Sequence, residues 1–277
     1  MRIERLLANG GRLVAVALIL IWSLFPIAFV LMSSVKPAKD IFAAPPKFVF
    51  EPTIRHYLDL IAKWGVFFDG LLNSLIVTVG ATLLAVVASV AAGYIYSRHS
   101  GRFLSASAVF LIVVRLIPPI AITLPLFPVV NWLRLNDTHL VLILLYATFF
   151  VSLGTLLMRT FIDQVPRELD EAALIDGASR FTILRSIILP IVAPGILAVS
   201  VFVVVFAWNE FLFAFVFTAT RAKTAPLVIS EMIGSIDGVD WGILFAAATV
   251  QLLPVLLFVA FMHRYLVAGL SAGATKG

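Results

Sequence analysis

Residues 166–190, PRELDEAALIDGASRFTILRSIILP, differ in character from everything around them. Apolar runs flank the stretch on both sides, yet it holds four of the fifteen Asp and Glu residues of the chain. Pro166 suits the first position of a helix, where its missing N–H would be unpaired in any case. Glu168, Asp170 and Glu171 then fall in the first turns, where the helix dipole favours carboxylates. Gly177 can take the left-handed conformation that ends a helix, and Ser179 suits the N-cap of a second helix running to Pro190. The spacing therefore predicts a short amphipathic helix, a turn, and a second helix entering the next apolar run. Leu169, Ala172, Ala173 and Asp176 share one face at this period. The alanines and Gly177 make that face narrow enough for another protein's backbone to approach. The pattern is one for docking. No nucleophile–base pair lies in it, so no catalytic residue is assigned and the chain is not expected to be an enzyme.

The rest of the chain is dominated by apolar residues. Of 277 residues 62% are hydrophobic and 13% charged, against about 45–50% and 25% in soluble domains. The mean hydropathy is +1.09. The fold class expected is an all-α polytopic membrane protein. A net charge of +5 fits basic loops facing anionic lipid, and no basic–aromatic stripe points to nucleic acid. Cysteine is absent and the four histidines are scattered, so no metal site is expected. There is no G-x-x-x-x-G-K loop, so the chain itself is expected to hold no nucleotide cofactor.

About twenty apolar residues cross the hydrocarbon as a helix, and six such runs are expected at 13–32, 71–96, 103–130, 139–160, 191–217 and 241–262. They make a single membrane domain over 1–277, with residues 163–190 as a loop between the fourth and fifth. Arg2, Arg5 and Arg12 precede the first run; a signal peptide competes for this segment, but the run is long and lacks a small-x-small site close behind it. Residues 33–70 form a polar segment whose end, Tyr57–Phe68, is either an interfacial helix with Trp64 at headgroup level or a flexible loop. The second run is rich in Gly and Ala, which lets helices pack closely in lipid. The third contains Arg115, Pro118, Pro119, Pro125 and Pro128, a cluster that should bend or break it repeatedly. Residues 218–242 read as the last external loop. Eleven Lys and Arg fall in the segments taken as inner and eight in those taken as outer, which partly supports both termini being cytoplasmic.

A charged group deep in a membrane is costly and marks function by default. Arg115 and Glu210 are the two clear cases. With Trp208 and Asn209 they either line a solute pathway, the aromatic face and polar groups suiting a sugar, or they serve as structural partners for carbonyls freed at the breaks.

Glu171-Ala172-Ala173, Gly177, Ile187 and Leu189-Pro190 stand at the spacing E-A-A-x3-G-x9-I-x-L-P. All seven fixed positions resemble the EAA loop in permease subunits of bacterial ABC importers. Further likeness lies in LPLFPVVNWLRLNDTHLVLILLY around the third and fourth runs and AWNEFLFAFVFT in the fifth. Together these are most similar to the maltose-permease-like second subunit of carbohydrate importers. The resemblance implies the type I permease fold, with a cytoplasmic coupling helix bearing Glu171, Ala172, Ala173, Asp176 and Gly177. It implies a second permease subunit, two ATPase subunits that bind the ATP and Mg, an external solute-binding protein met by residues 218–242, and an inner-membrane location. The C-terminal GLSAGATKG, residues 269–277, resembles a tail that reaches the ATPase; a frayed end is the alternative. The function implied is ATP-driven import of a sugar, oligosaccharide or polyol. Import of another solute such as a phosphorylated polyol, and ATP-independent secondary transport, are the competing readings; the latter calls for inverted repeats that the sequence does not show.

Overall fold

The computed structural model describes residues 2–236 and 238–274, with side chains for 11–236 and 238–262. The expectations placed on Arg2, Arg5, Asp237 and the tail 269–277 therefore lie outside the side chains described. Among the described residues every regular element is helical. In chain order they are α1 (Arg2–Ser34), α2 (Ala38–Ile41), α3 (Arg55–Lys63), α4 (Val66–Arg98), α5 (Arg102–Val114), α6 (Pro119–Trp132), α7 (His139–Ile162) and α8 (Glu168–Ile175). There follow α9 (Arg180–Ile183), a π-helical turn (Leu184–Ile188), α10 (Leu189–Ile191), α11 (Ala193–Asn209), α12 (Leu212–Phe217), α13 (Ala225–Ile233) and α14 (Trp241–Ala274).

Among the described residues, four helical stretches are long and apolar enough to cross a membrane unaided: Gly11–Ser34, Val66–Arg98, His139–Ile162 and Trp241–Met262. Two bent pairs pass the same test together, α5 with α6 at 101° and Arg180–Ile191 with α11 at 79°. The six apolar runs of the sequence thus become four continuous helices and two broken ones. In the third run the break is confined to 115–118, whereas Pro125 and Pro128 lie within α6. The reason is local: Pro119 drives the residue before it out of the α region, and Pro118 is extended at ψ 134°. Pro119 then opens α6, where its missing N–H costs nothing. The continuous fifth helix expected over 191–217 is likewise corrected. It begins after a bend at Val192 and is interrupted at Glu210, which is extended at ψ 132°. The 218–242 segment is no plain loop, since α13 occupies Ala225–Ile233. Pro166 stands two residues ahead of α8 rather than at its first position.

The chain forms two compact units, residues 1–67 with Ile229–Leu253 and Phe68–Val228 with 254–277. In the first unit part of the polar segment is packed, at its start and along α3. His56 and Leu60 of α3 are buried, and His56 Nε2 lies 2.8 Å from the Lys36 carbonyl. The hydroxyls of Ser34 and Tyr57 are hydrogen-bonded at 2.7 Å. Gly242 is needed because the His56 ring fills the place of a side chain there. Phe42 meets Trp241 edge-on with centroids 5.2 Å apart. The loop alternative for the end of this segment is thus set aside over Arg55–Lys63.

The second unit holds a core built on α4, α7 and α11. Close approach through small residues does the packing, as the composition of the second run predicts. A side chain on Gly93 would stand 2.8 Å from Met158 Cβ and 3.0 Å from the Arg159 nitrogen. Gly154 faces Ser89, and Gly195 faces the Phe161 ring. At the start of α7 the core is tied to the chain after α12. Asp137, at φ 57°, accepts from the backbone N–H groups of Ala219, Thr220, Arg221 and Ala222 at 3.0–3.2 Å and from the Thr220 hydroxyl at 2.8 Å. Burial pushes this carboxyl upward, but the N–H groups of Arg221, Ala222 and Ala219 and the Thr220 hydroxyl outweigh it and hold it well below the usual carboxylate range.

Two outcomes are expected. Gly93→Leu should lower the thermal midpoint of the purified protein by an overpacking cost of about 1–3 kcal/mol, whereas Gly101→Leu, with open space around it, should leave it unchanged. Because the folded Asp137 carboxyl is depressed, its contribution is present above the usual carboxylate pKa and is lost only well into acid. Hydrogen exchange of the 219–222 amides should therefore stay slow at about pH 4, where free carboxylates are half protonated, and become fast in Asp137→Ala at neutral pH.

Candidate functional site

Two features of the second unit stand out: the polar hairpin between α7 and α11, and the pair of broken spans that pack on α7. The hairpin begins at α8, whose first turn carries Glu168, Asp170 and Glu171. It turns at Gly177 with φ +85°, the conformation for which glycine is suited. Ser179 caps α9 by accepting from Thr182 N at 3.2 Å. The π-helical turn Leu184–Ile188 follows, one extra residue in the ladder of the kind often found at functional sites. Of the docking set, Glu171, Ala172, Asp176 and Gly177 are exposed, while Ala173 is buried in the core. The face offered outward also bears Ile175, 86% exposed, and beyond the turn Phe181, 70% exposed. Large apolar side chains set among acids and Arg180 suit a protein partner better than water.

The inward face is fixed by charge. Arg98, the last residue of α4, places Nε 2.6 Å from Asp170 Oδ2, with side chains only 4% and 8% exposed. Its Nη1 and Nη2 donate to the carbonyls of Ile162 and Val165 at 3.3 and 3.1 Å. Arg167 Nη2 donates to the Ser97 carbonyl at 2.8 Å, and the Tyr94 hydroxyl reaches Asp170 at 3.4 Å. One fork-shaped cation thus holds both the helix and the carbonyls leading into it, which a lysine could not do. Sequence reading missed this cluster. Asp170 reads from the sequence only as a dipole-compensating acid, and its partner Arg98 lies 72 positions earlier, so no local pattern joins the two.

The four residues proposed for the solute path fall around the two breaks. Arg115 caps α5 at the 101° bend. Its guanidinium lies 5.3 Å from the centroid of Phe149 on α7, and its Nη1 is buried without a hydrogen-bond partner. Glu210, in the gap between α11 and α12, accepts from Phe213 N at 3.0 and 3.2 Å through its two oxygens; it caps α12. Phe213 in turn packs on Phe149 with centroids 6.3 Å apart. Arg115 and Glu210 are therefore linked through Phe149 and Phe213, the carboxylate accepting from the Phe213 backbone N–H, and not by an ion pair. Trp208 is buried, 5% exposed. Asn209 is exposed, and its amide donates to the Val205 carbonyl at 2.7 Å. Among the described residues no group of three His, Asp or Glu side chains is disposed to hold a metal.

The family profile described as "Binding-protein-dependent transport system inner membrane component" matches residues 85–272. The probable ABC transporter permease protein y4oR of Sinorhizobium fredii is 35% identical over 255 residues, covering 91% of this chain and 90% of that protein. The trehalose/maltose transport system permease protein MalG of Thermococcus litoralis is 33% identical over 279 residues, covering 99% of each. Among solved structures, a bacterial ABC transporter involved in import of the acidic polysaccharide alginate matches in fold with a TM-score of 0.78 at 17% identity, covering 96% of this chain and 98% of that one. An all-helical chain with these spans and this hairpin, matched over more than half its length by one family, belongs to the inner-membrane permease subunits of binding-protein-dependent ABC importers.

Proposed function

We propose that this subunit forms half of the translocation path for a sugar, oligosaccharide or polyol and docks α8 into an ATPase subunit. The solute class rests on relatives whose names include trehalose and maltose transport. In this reading the chain crosses the membrane six times, each bent pair counting once, with both termini and α8 in the cytoplasm. A second permease subunit completes the path, two ATPase subunits bind the ATP and Mg, and an external binding protein delivers solute to the side bearing residues 218–242. The observation that carries the docking role is the hairpin's outward face: a glycine turn at positive φ, a small Ala172, and Ile175 and Phe181 exposed between membrane spans.

Coupling needs a differential contact. A loop held equally in both ATPase states would shift nothing, so closure of the ATPase pair must move α8. Arg115 and Glu210 are proposed to border the path, because irregular backbone at membrane depth is tolerated where it is buried in protein or lines water, and both sit at such breaks.

The docking role is checked by Gly177→Arg and Ile175→Asp. Each should abolish co-purification of the ATPase subunit while membrane levels of the permease stay normal; capture of the ATPase at wild-type level by both would refute it. For the path, Glu210→Ala should slow uptake at least about tenfold, the scale of losing a buried charge-assisted contact, and Arg115→Met should alter the solute concentration giving half-maximal uptake. Unchanged uptake in both variants would leave these side chains structural.

A further inference from the structure

We propose that α4 acts as a connecting rod, clasped at one end to the docking hairpin and at the other to the 219–225 strap, so that displacement of one is carried to the other. The proposal rests on α8 being the ATPase-docking helix and adds what lies on the far side of it.

The first clasp is the buried Arg98–Asp170 pair at 2.6 Å, reinforced by Arg167 donating to the Ser97 carbonyl. The second lies near the other end of the same helix. Asn73 Nδ2 donates to the carbonyls of Arg221 and Lys223, both at 2.9 Å. His139 Nε2–H donates to Asn73 Oδ1 at 2.6 Å, which fixes the amide's orientation. Ser74 Oγ accepts from Ala225 N at 2.9 Å. Asn73 and Ser74 are 8% and 2% exposed, so these bonds are shielded from water. The strap they grip is the one whose amides Asp137 collects.

Along a helix rising 1.5 Å per residue, Asn73 and Arg98 stand about 38 Å apart. That exceeds the roughly 30 Å hydrocarbon thickness, so the clasps fall at opposite membrane faces. Between them α4 is one unbroken helix, while α1 and α14 contain internal prolines and the spans made by α5 with α6 and by Arg180–Ile191 with α11 are bent. Gly80, Gly93 and the Ser89–Gly154 contact bring α7 close along its length, which stiffens the rod laterally. A helix joined by side chains at both ends and free of breaks transmits axial displacement; a kinked one absorbs it.

The full complex, with its ATPase subunits and solute-loaded binding protein in liposomes, tests this. Arg98→Ala and Asn73→Ala should each reduce stimulation of ATP hydrolysis by the loaded binding protein about tenfold or more, within the range of allosteric coupling. In Asn73→Ala, basal hydrolysis, subunit stoichiometry and the binding-protein concentration giving half-maximal effect should stay unchanged. Arg98→Asp combined with Asp170→Arg should restore part of the loss. Leu83→Gly with Val87→Gly, at side chains 64% and 67% exposed, leaves both clasps intact but softens the helix; it should uncouple, whereas the corresponding alanine pair should not. Wild-type stimulation in Asn73→Ala and in the glycine pair would overturn the rod. A wild-type chain that captures no ATPase would instead remove the docking reading, and the rod with it.

Discussion

In hydrocarbon a backbone N–H or carbonyl has no water to turn to, and each one left unpaired costs several kcal/mol. The architecture follows from where this chain obeys that constraint and where it departs from it. Four stretches obey it as continuous helices. Two depart from it, at 115–118 and around Val192 and Glu210, and each departure is backed by protein. Glu210 itself supplies the acceptor for the start of α12. The Arg115 guanidinium rests on the Phe149 ring, and Phe127 stacks on Phe217 with centroids 6.2 Å apart to join α6 to α12. The irregular segments are thus gathered on α7, the straight helix that can support them.

The same constraint explains why close packing depends on missing side chains. Lipid offers no hydrophobic drive for helices to associate, so contact area must come from proximity. Gly93 against Met158, Gly154 against Ser89 and Gly195 against Phe161 provide it. Among the described residues of this unit, Arg98 is matched by Asp170 and two carbonyls. A pair of this kind is poor as net stabilisation but costly to break by removing one partner, about 3–5 kcal/mol, which makes it suited to fixing a position.

Much of this was legible in the sequence because the signals were long or local. The Gly177 turn and the Ser179 cap each depend on a short window, and each stands where the pattern placed it. What could not be read was tertiary. The adjacent Pro118–Pro119 break the helix for a local reason, but nothing local says that Pro125 and Pro128 stay within α6. Ala173 reads as part of a docking face until Asp170 is seen anchored to a residue 72 positions earlier. Asn73 and Asp137 read as loop-edge polars, since their partners lie some 80 to 150 residues away along the chain. The helix α13 was hidden because an amphipathic nine-residue element among charged neighbours resembles a loop.

The strap at 219–222 owes its shape to main-chain donors converging on one carboxylate. Its side chains consequently carry little of the burden of maintaining that shape. Any residue other than proline keeps the N–H that Asp137 needs, so the identity of Ala219 and Arg221 is free to drift, or to be rewritten by an engineer, while Thr220, whose hydroxyl also donates to the carboxylate, and the scaffold beneath stay put. A transporter made this way can change the chemical lettering it shows at that edge without rebuilding the machine behind it.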